Sequence, residues 1–212
     1  MEREQYNLTV LTRILTNPET GDYLLFQRHS FPKVRCGVPV ALCKEPVVAC
    51  YSIRVSTRSA RASEDEKEFL PVFMHLIGFN KLVLDLAGGY GRIAPYLMEN
   101  NNTVVSADLS PHSLPLAKKT IRRSNLHIVC MDLLHLPFID NVFDGVWFTQ
   151  AFEYVPPDES ESFLRALKGI LKAGGFVFLN VAKVPNECSR FSYLKNYLYW
   201  RLIKRQSAFL LI

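Results

Sequence analysis

The sequence predicts an α/β fold, a doubly wound and mostly parallel sheet with helices on both faces, preceded by a β-prone extension. Two observations predict it. From about residue 81 onward, short runs rich in Val, Ile, Leu and Phe recur with few charges, as expected of parallel strands covered on both faces. The stretches between them place apolar residues at helical spacing, so that strand and helix alternate.

The N-terminal part comes first in chain order. YNLTVLTRIL reads as one helix or strand, NPETGDY as a turn, and YLLFQRH, VPVALC and VVACYSIRV as β-prone pieces. VSTRSARASEDEKE is a polar connector. EKEFLPVFMHLIGF is a helix that leads into the first strand, with Pro71 expected near its start or at a kink, because proline lacks an N–H for the helix interior. The repeating part then offers KLVLDLA, TVVSADL, LHIVCMD, FDGVWFT and GFVFLNV as strands. GRIAPYLMEN, SPHSLPLAKKTIRRSN and PDESESFLRALKGILKAG are the helices between them. In the last, Phe163, Leu164, Leu167, Ile170 and Leu171 make an apolar stripe, acids open it and lysines close it in keeping with the helix dipole, and Gly174 and Gly175 are expected to stop it. The division that follows is an N-terminal extension and connector over 1–63 and a main domain over 64–212, with the patterned core at 80–182.

Length and composition bound the function. The chain has 212 residues, 49% of them hydrophobic, enough for one domain with a substantial core. No apolar run approaches the roughly 20 residues that cross a bilayer, and MEREQYNLTV lacks the pattern of an export leader, so a cytoplasmic location is expected. Five cysteines without close pairs are expected as reduced thiols. His29, Cys36, Cys43 and Cys50 recur at intervals of seven, but a structural zinc site wants thiolates paired two to four residues apart, so no metal is expected. A net charge of +5 permits anionic partners without requiring one. Arg54, Arg58 and Arg61 could meet RNA phosphates, yet a run mixing Ser, Thr and both charge signs reads better as a solvated linker. The tail RFSYLKNYLYWRLIKRQSAFLLI is expected to pack on the sheet, with an amphipathic helix touching a membrane surface as the alternative.

LVLDLAGGYGR, residues 82–92, is where chemistry concentrates. A strand that ends in glycines and runs into a helix lets backbone N–H groups approach a ligand closely. Gly89, Gly91 and Ala94 fit the dinucleotide pattern G-x-G-x-x-G/A, and Asp108 is placed for a ribose hydroxyl. Asp85 weighs against that choice, because an acid just before the turn suits a cationic ligand better than an anionic pyrophosphate.

From Asp85 to Gly91 the loop resembles the acid-x-Gly-x-Gly-x-Gly loop of class I, Rossmann-like S-adenosylmethionine-dependent methyltransferases, with Ala87 in place of the first glycine. Met131-Asp132-Leu133, Leu136-Pro137-Phe138 and then Asp140-Asn141, Phe143-Asp144 resemble the signature of the small-molecule members. GVWFTQAFEYVPP is similar to the next segment, with Glu153 matching and Tyr154 replacing a histidine. LKAGGFVFLNV is similar to the LKPGG turn and fifth strand, with Ala173 replacing proline. The resemblance implies that Asp85, Ala87, Gly88, Gly89 and Gly91 surround the methionine part of the cofactor. It implies that Asp108 bonds the ribose hydroxyls, Leu109 packs on the adenine, and Asp132 and Leu133 flank it. Asp132 suits the adenine amine because a carboxylate is acceptor-only. Thr149 and Gln150 would lie nearest the transferable methyl.

Methyl transfer from a sulfonium is an in-line displacement that leans on positioning and exclusion of water, so no universal catalytic residue is implied. Where the acceptor must lose a proton, Glu153, Tyr154 and His135, and from another loop His112, are the candidate bases. The absence of an N-P-P-Y or D-P-P-Y motif disfavours a nucleic-acid base without excluding RNA, and the resemblance implies a small-molecule acceptor, with an apolar one as an option. The family sheet ordinarily closes with two further strands, six and seven, that this chain has little sequence left to form. Two rivals stay open: a partner-binding module without catalysis, and a nicotinamide-dependent oxidoreductase.

Overall fold

In the computed structural model, the described residues are 34–35, 38–41, 64–110, 113–180 and 209–211. The strands are β1 (Val34–Arg35), β2 (Val38–Ala41), β3 (Leu82–Leu86), β4 (Thr103–Asp108), β5 (Leu126–Met131), β6 (Phe143–Thr149), β7 (Leu171–Asn180) and β8 (Phe209–Leu211). The helices are α1 (Glu64–Ile77), α2 (Ala94–Leu97), α3 (Ser113–Ile121) and α4 (Ser160–Gly169). Short 3-10 turns follow at Glu99–Asn101 and Phe152–Tyr154.

All the strands join one sheet in the order β1-β2-β5-β4-β3-β6-β7-β8. From β5 to β7 the pairing is parallel throughout, which is the predicted doubly wound sheet. Val38–Ala41, from the β-prone extension, lies parallel to β5 and antiparallel to β1 and so lengthens one edge. At the other edge Phe209–Leu211, the only described part of the tail, pairs parallel with β7. YNLTVLTRIL, NPETGDY, YLLFQRH, VVACYSIRV, the connector before residue 64, His29, Cys36, Cys43, Cys50 and the rest of the tail lie outside the described residues.

Alternation along the strands sorts the core into two layers. Val83, Val104, Ile128, Trp147 and Phe178 face α1, α2 and α3, whereas Leu84, Leu86, Val105, Val146 and Phe148 face α4. Trp147 stacks on Phe178 with ring centroids 3.9 Å apart and meets the edge of Phe73 at 5.2 Å. Leu70, Phe73, Met74 and Ile77 bury the inner stripe of α1, and Gly78 ends it with φ of +81°.

Two boundaries differ from expectation. Pro71 lies at the eighth of the fourteen residues of α1, not near its start. Its ring is solvent-exposed, and the apolar stripe on the opposite side holds the helix in place around it. The last helix ends at Gly169, not at Gly174 and Gly175. The amide of Asn141 donates to the carbonyl of Gly169, and those of Val142 and Phe143 donate to the carbonyl of Ile170, so the segment entering β6 takes over the carbonyls of the helix end. Leu171 to Gly175 then belong to β7, with Gly174 at φ +77° beside a shift in register.

Asp144 closes the end of the sheet remote from the glycine loop. It accepts from the Leu82 amide at 3.0 Å and from Lys172 Nζ at 2.8 Å, with Lys81 Nζ at 3.6 Å. Partial burial raises its pKa, but Lys172 and the Leu82 amide outweigh that and hold the carboxyl below its usual range. Its stabilisation is therefore present above the ordinary carboxylate pKa and lost as pH falls through the lowered folded value. Asp144→Ala should destabilise by about 1–2 kcal/mol near neutral pH, a gap that narrows in acid, because the Leu82 amide loses its acceptor and that bond matters more than the exposed lysines. Urea unfolding at pH 7 and pH 3 checks it.

Candidate functional site

The strand order reverses at β3, which has β4 on one side and β6 on the other. In open α/β sheets a ligand binds beyond the carboxyl ends of the strands at such a point. Asp85, Asp108 and Asp132 all stand there, in or just after β3, β4 and β5.

Asp85 is 2% exposed and lies beneath the glycine loop, where it accepts a hydrogen bond from Ser106 Oγ at 3.2 Å. Burial pushes its carboxyl up to about 7; Ser106 and Arg92 pull it down, and Asp108 and Glu66 push it further up. Such a carboxylate gains from a nearby cation and would be driven further from ionisation by a pyrophosphate.

Each glycine of the loop answers to a different neighbour. A Cβ on Gly88 would lie 2.4 Å from Asp85 Oδ2 and 2.3 Å from Ser106 Oγ, so the acid occupies the space of a side chain. Gly89, at φ +53°, donates its N–H to Asp108 Oδ2 at 2.9 Å. Gly91, at φ +73°, passes so close to α3 that a Cβ would meet Ala117 Cβ at 2.8 Å. Ala87 adopts φ +59°, the left-handed region where a Cβ crowds the following carbonyl. Ala87→Gly should therefore stabilise the fold by about 1 kcal/mol, net of the flexibility glycine adds to the unfolded chain. A higher denaturant midpoint at unchanged slope is the expected reading.

Asp108 accepts from the Ser110 amide at 2.8 Å as well as from Gly89. Burial lifts its carboxyl above the ordinary value, and those two amides oppose the shift. Leu109 is half-buried, its carbonyl 3.4 Å from Cys130 Sγ. Asp132 braces its own turn through the Leu134 amide at 3.0 Å and has His135 Nδ1 at 3.8 Å. Leu133 packs against the core layer that faces α4. Half-exposed His135 is thus on the Asp132 side of the sheet, away from β6.

At the end of β6, Thr149 and Gln150 part company. Gln150 is exposed, with φ of +56°, a conformation uncommon for a residue other than glycine and worth notice at a strand end. Thr149 is buried, and its Oγ1 donates to Glu66 Oε1 at 2.7 Å. Glu153 and Tyr154 follow in a 3-10 turn; Tyr154 is 57% exposed, and the Glu153 side chain lies outside the described residues, as does His112.

Glu66, Arg92 and Ser106 are the site residues that sequence reading missed. Glu66 is fully buried in the first turn of α1, where Arg92 meets both of its carboxylate oxygens. A signal existed: Glu66 precedes Leu70 by four and Phe73 by seven, which puts it on the buried stripe.

Comparison with known proteins points the same way. The profile of a family described as "Methyltransferase domain" matches residues 84–179. An uncharacterized methyltransferase of Synechocystis is 29% identical over 138 residues, covering 65% of this chain and 59% of its own. The ubiquinone/menaquinone biosynthesis C-methyltransferase UbiE of Desulfotalea psychrophila is 35% identical over 95 residues, covering 44% of this chain and 38% of its own. The crystal structure of a presumed methyltransferase from Bacillus halodurans C-125 aligns with a TM-score of 0.50 at 25% identity, covering 65% of this chain and 58% of that one. The chain thus spans less than two thirds of the length of each.

Proposed function

We propose that this chain, whose residues 84–179 match the profile of a methyltransferase domain, is a class I S-adenosylmethionine-dependent methyltransferase that transfers a methyl group to a small, apolar acceptor. The observation that carries the reading is the set of three carboxylates, Asp85, Asp108 and Asp132, at the carboxyl ends of the neighbouring strands β3, β4 and β5, the first two of them beside the glycine loop. Their chemistry fits the cofactor. Asp85 supplies negative charge for a sulfonium and an ammonium, Asp108 accepts from ribose hydroxyls, and Asp132 accepts from the adenine amine, with Leu109 and Leu133 as apolar flanks. When bound, the cofactor supplies an electrophilic methyl carbon.

The chain's own residues then position and exclude. Gly88 and Gly89 let the backbone approach, and Ile93 and Ala94, which follow the loop, are buried. Gln150 and Tyr154, exposed beyond β6, stand where an acceptor would approach, with Tyr154 and Glu153 as candidates to take a proton from it. The likeness to a C-methyltransferase of quinone biosynthesis supports an apolar, aromatic acceptor. No helix among the described residues is long and apolar enough to cross a membrane.

Incubation with S-adenosylmethionine carrying a labelled methyl, against a panel of phenols and quinols, tests the proposal. Label extracted into organic solvent with one or more acceptors is expected. Label that stays in the aqueous phase and is found only on an added oligonucleotide or peptide would overturn the small-molecule assignment.

A further inference from the structure

Glu66 gathers three elements onto one carboxylate. It sits on α1, receives the guanidinium of Arg92 from the end of the glycine loop, with Nη2 2.6 Å from Oε1, and accepts from Thr149 Oγ1 at the end of β6. Arg92 Nη2 also lies 3.5 Å from Thr149 Oγ1. Arg92 is the only basic residue in the loop sequence LVLDLAGGYGR. It is electrostatically within reach of Asp85, as are Glu66 and Asp108.

That arrangement has a consequence for ligand charge. A guanidinium on the loop, left to itself, would pair with the carboxylates at the strand ends and cancel the field a cation needs. Held in a two-pronged pair by a fully buried acid, it contributes little net charge to the site. We infer that Glu66 is a charge-selectivity residue of the cofactor site, acting through Arg92 to keep Asp85 and Asp108 available to a positively charged sulfonium. The inference rests on the cofactor assignment above. Its signature is the relative affinity for S-adenosylmethionine and S-adenosylhomocysteine, which differ by the methyl and its positive charge.

The test is titration calorimetry with both ligands on the native chain, Glu66→Gln, Arg92→Gln and the double variant. Glu66→Gln should weaken S-adenosylmethionine on the order of ten-fold more than S-adenosylhomocysteine, the size expected for one uncompensated charge in a partly screened site. Arg92→Gln should shift the ratio the opposite way, and the double variant should return it to the native value. If one single variant does not fold, the other single and the double variant decide the matter, because each carries its own predicted ratio. Equal weakening of both ligands in the single variants would show a merely structural pair and overturn the inference while leaving the cofactor assignment intact. A native chain that binds neither ligand overturns both.

Discussion

Asp85→Asn is expected to weaken S-adenosylmethionine binding by at least 100-fold and, at pH 8, to make the ligand-free protein more stable than the native chain. The two effects share one cause. Asp85 is buried and its carboxyl is pushed up to about 7, with Ser106 and Arg92 opposing that shift and Asp108 and Glu66 adding to it. Relative to an unfolded carboxyl near 3.9, the raised value means that folding favours the protonated form. Stability from this group is full below the unfolded pKa and falls as pH rises through about 7. Asparagine removes that loss and keeps the contact with Ser106, yet it removes the charge a sulfonium requires. Binding of the cation should also expel a proton between about pH 5 and 7, so native affinity rises over that range and then levels. The asparagine variant should show no such rise. Thermal melts at pH 5 and pH 8 with calorimetry across the same range check both parts; equal melting of the two proteins at pH 8 would mean that Asp85 is not strained by burial.

Gly88→Ala carries the next largest effect. Its φ is not in the left-handed region, so the backbone would accept alanine. The obstacle is the space, because the new methyl would fall 2.4 Å from Asp85 Oδ2 and 2.3 Å from Ser106 Oγ. Either the carboxylate swings away or the loop lifts, at a cost of about 1–3 kcal/mol for an overpacked site. Cofactor affinity should drop at least ten-fold and the Asp85–Ser106 hydrogen bond should be lost. Adding Ser106→Gly to Gly88→Ala should recover part of the stability without the affinity, which separates steric relief from recognition.

Much of the fold was legible because strand periodicity is a local signal. FDGVWFT is β6 residue for residue, and TVVSADL and LHIVCMD each overrun their strands by one position. The helix that was expected to reach Gly174 misled because Ile170 and Leu171 continue an apolar stripe while belonging to a turn and a strand. What ended the helix was a set of amides from Asn141 to Phe143, distant in sequence. The acids of the site could be read from their places at strand ends. Glu66 shares the stripe of Leu70 and Phe73, but an acid within the charged run EDEKE is by residue type expected at the surface, and only the pairing with Arg92 accounts for its burial. Ala87 was legible as a departure from the family loop, and the structure gives it a physical form, a positive φ borne by a residue with a Cβ.

The central claim is that the loop and its three acids hold a sulfonium cofactor and not a dinucleotide. Titration calorimetry of the native chain with S-adenosylhomocysteine and with NAD tests this most directly. The account predicts one S-adenosylhomocysteine bound per chain and no heat of binding from NAD; saturable NAD binding with none for S-adenosylhomocysteine would contradict it.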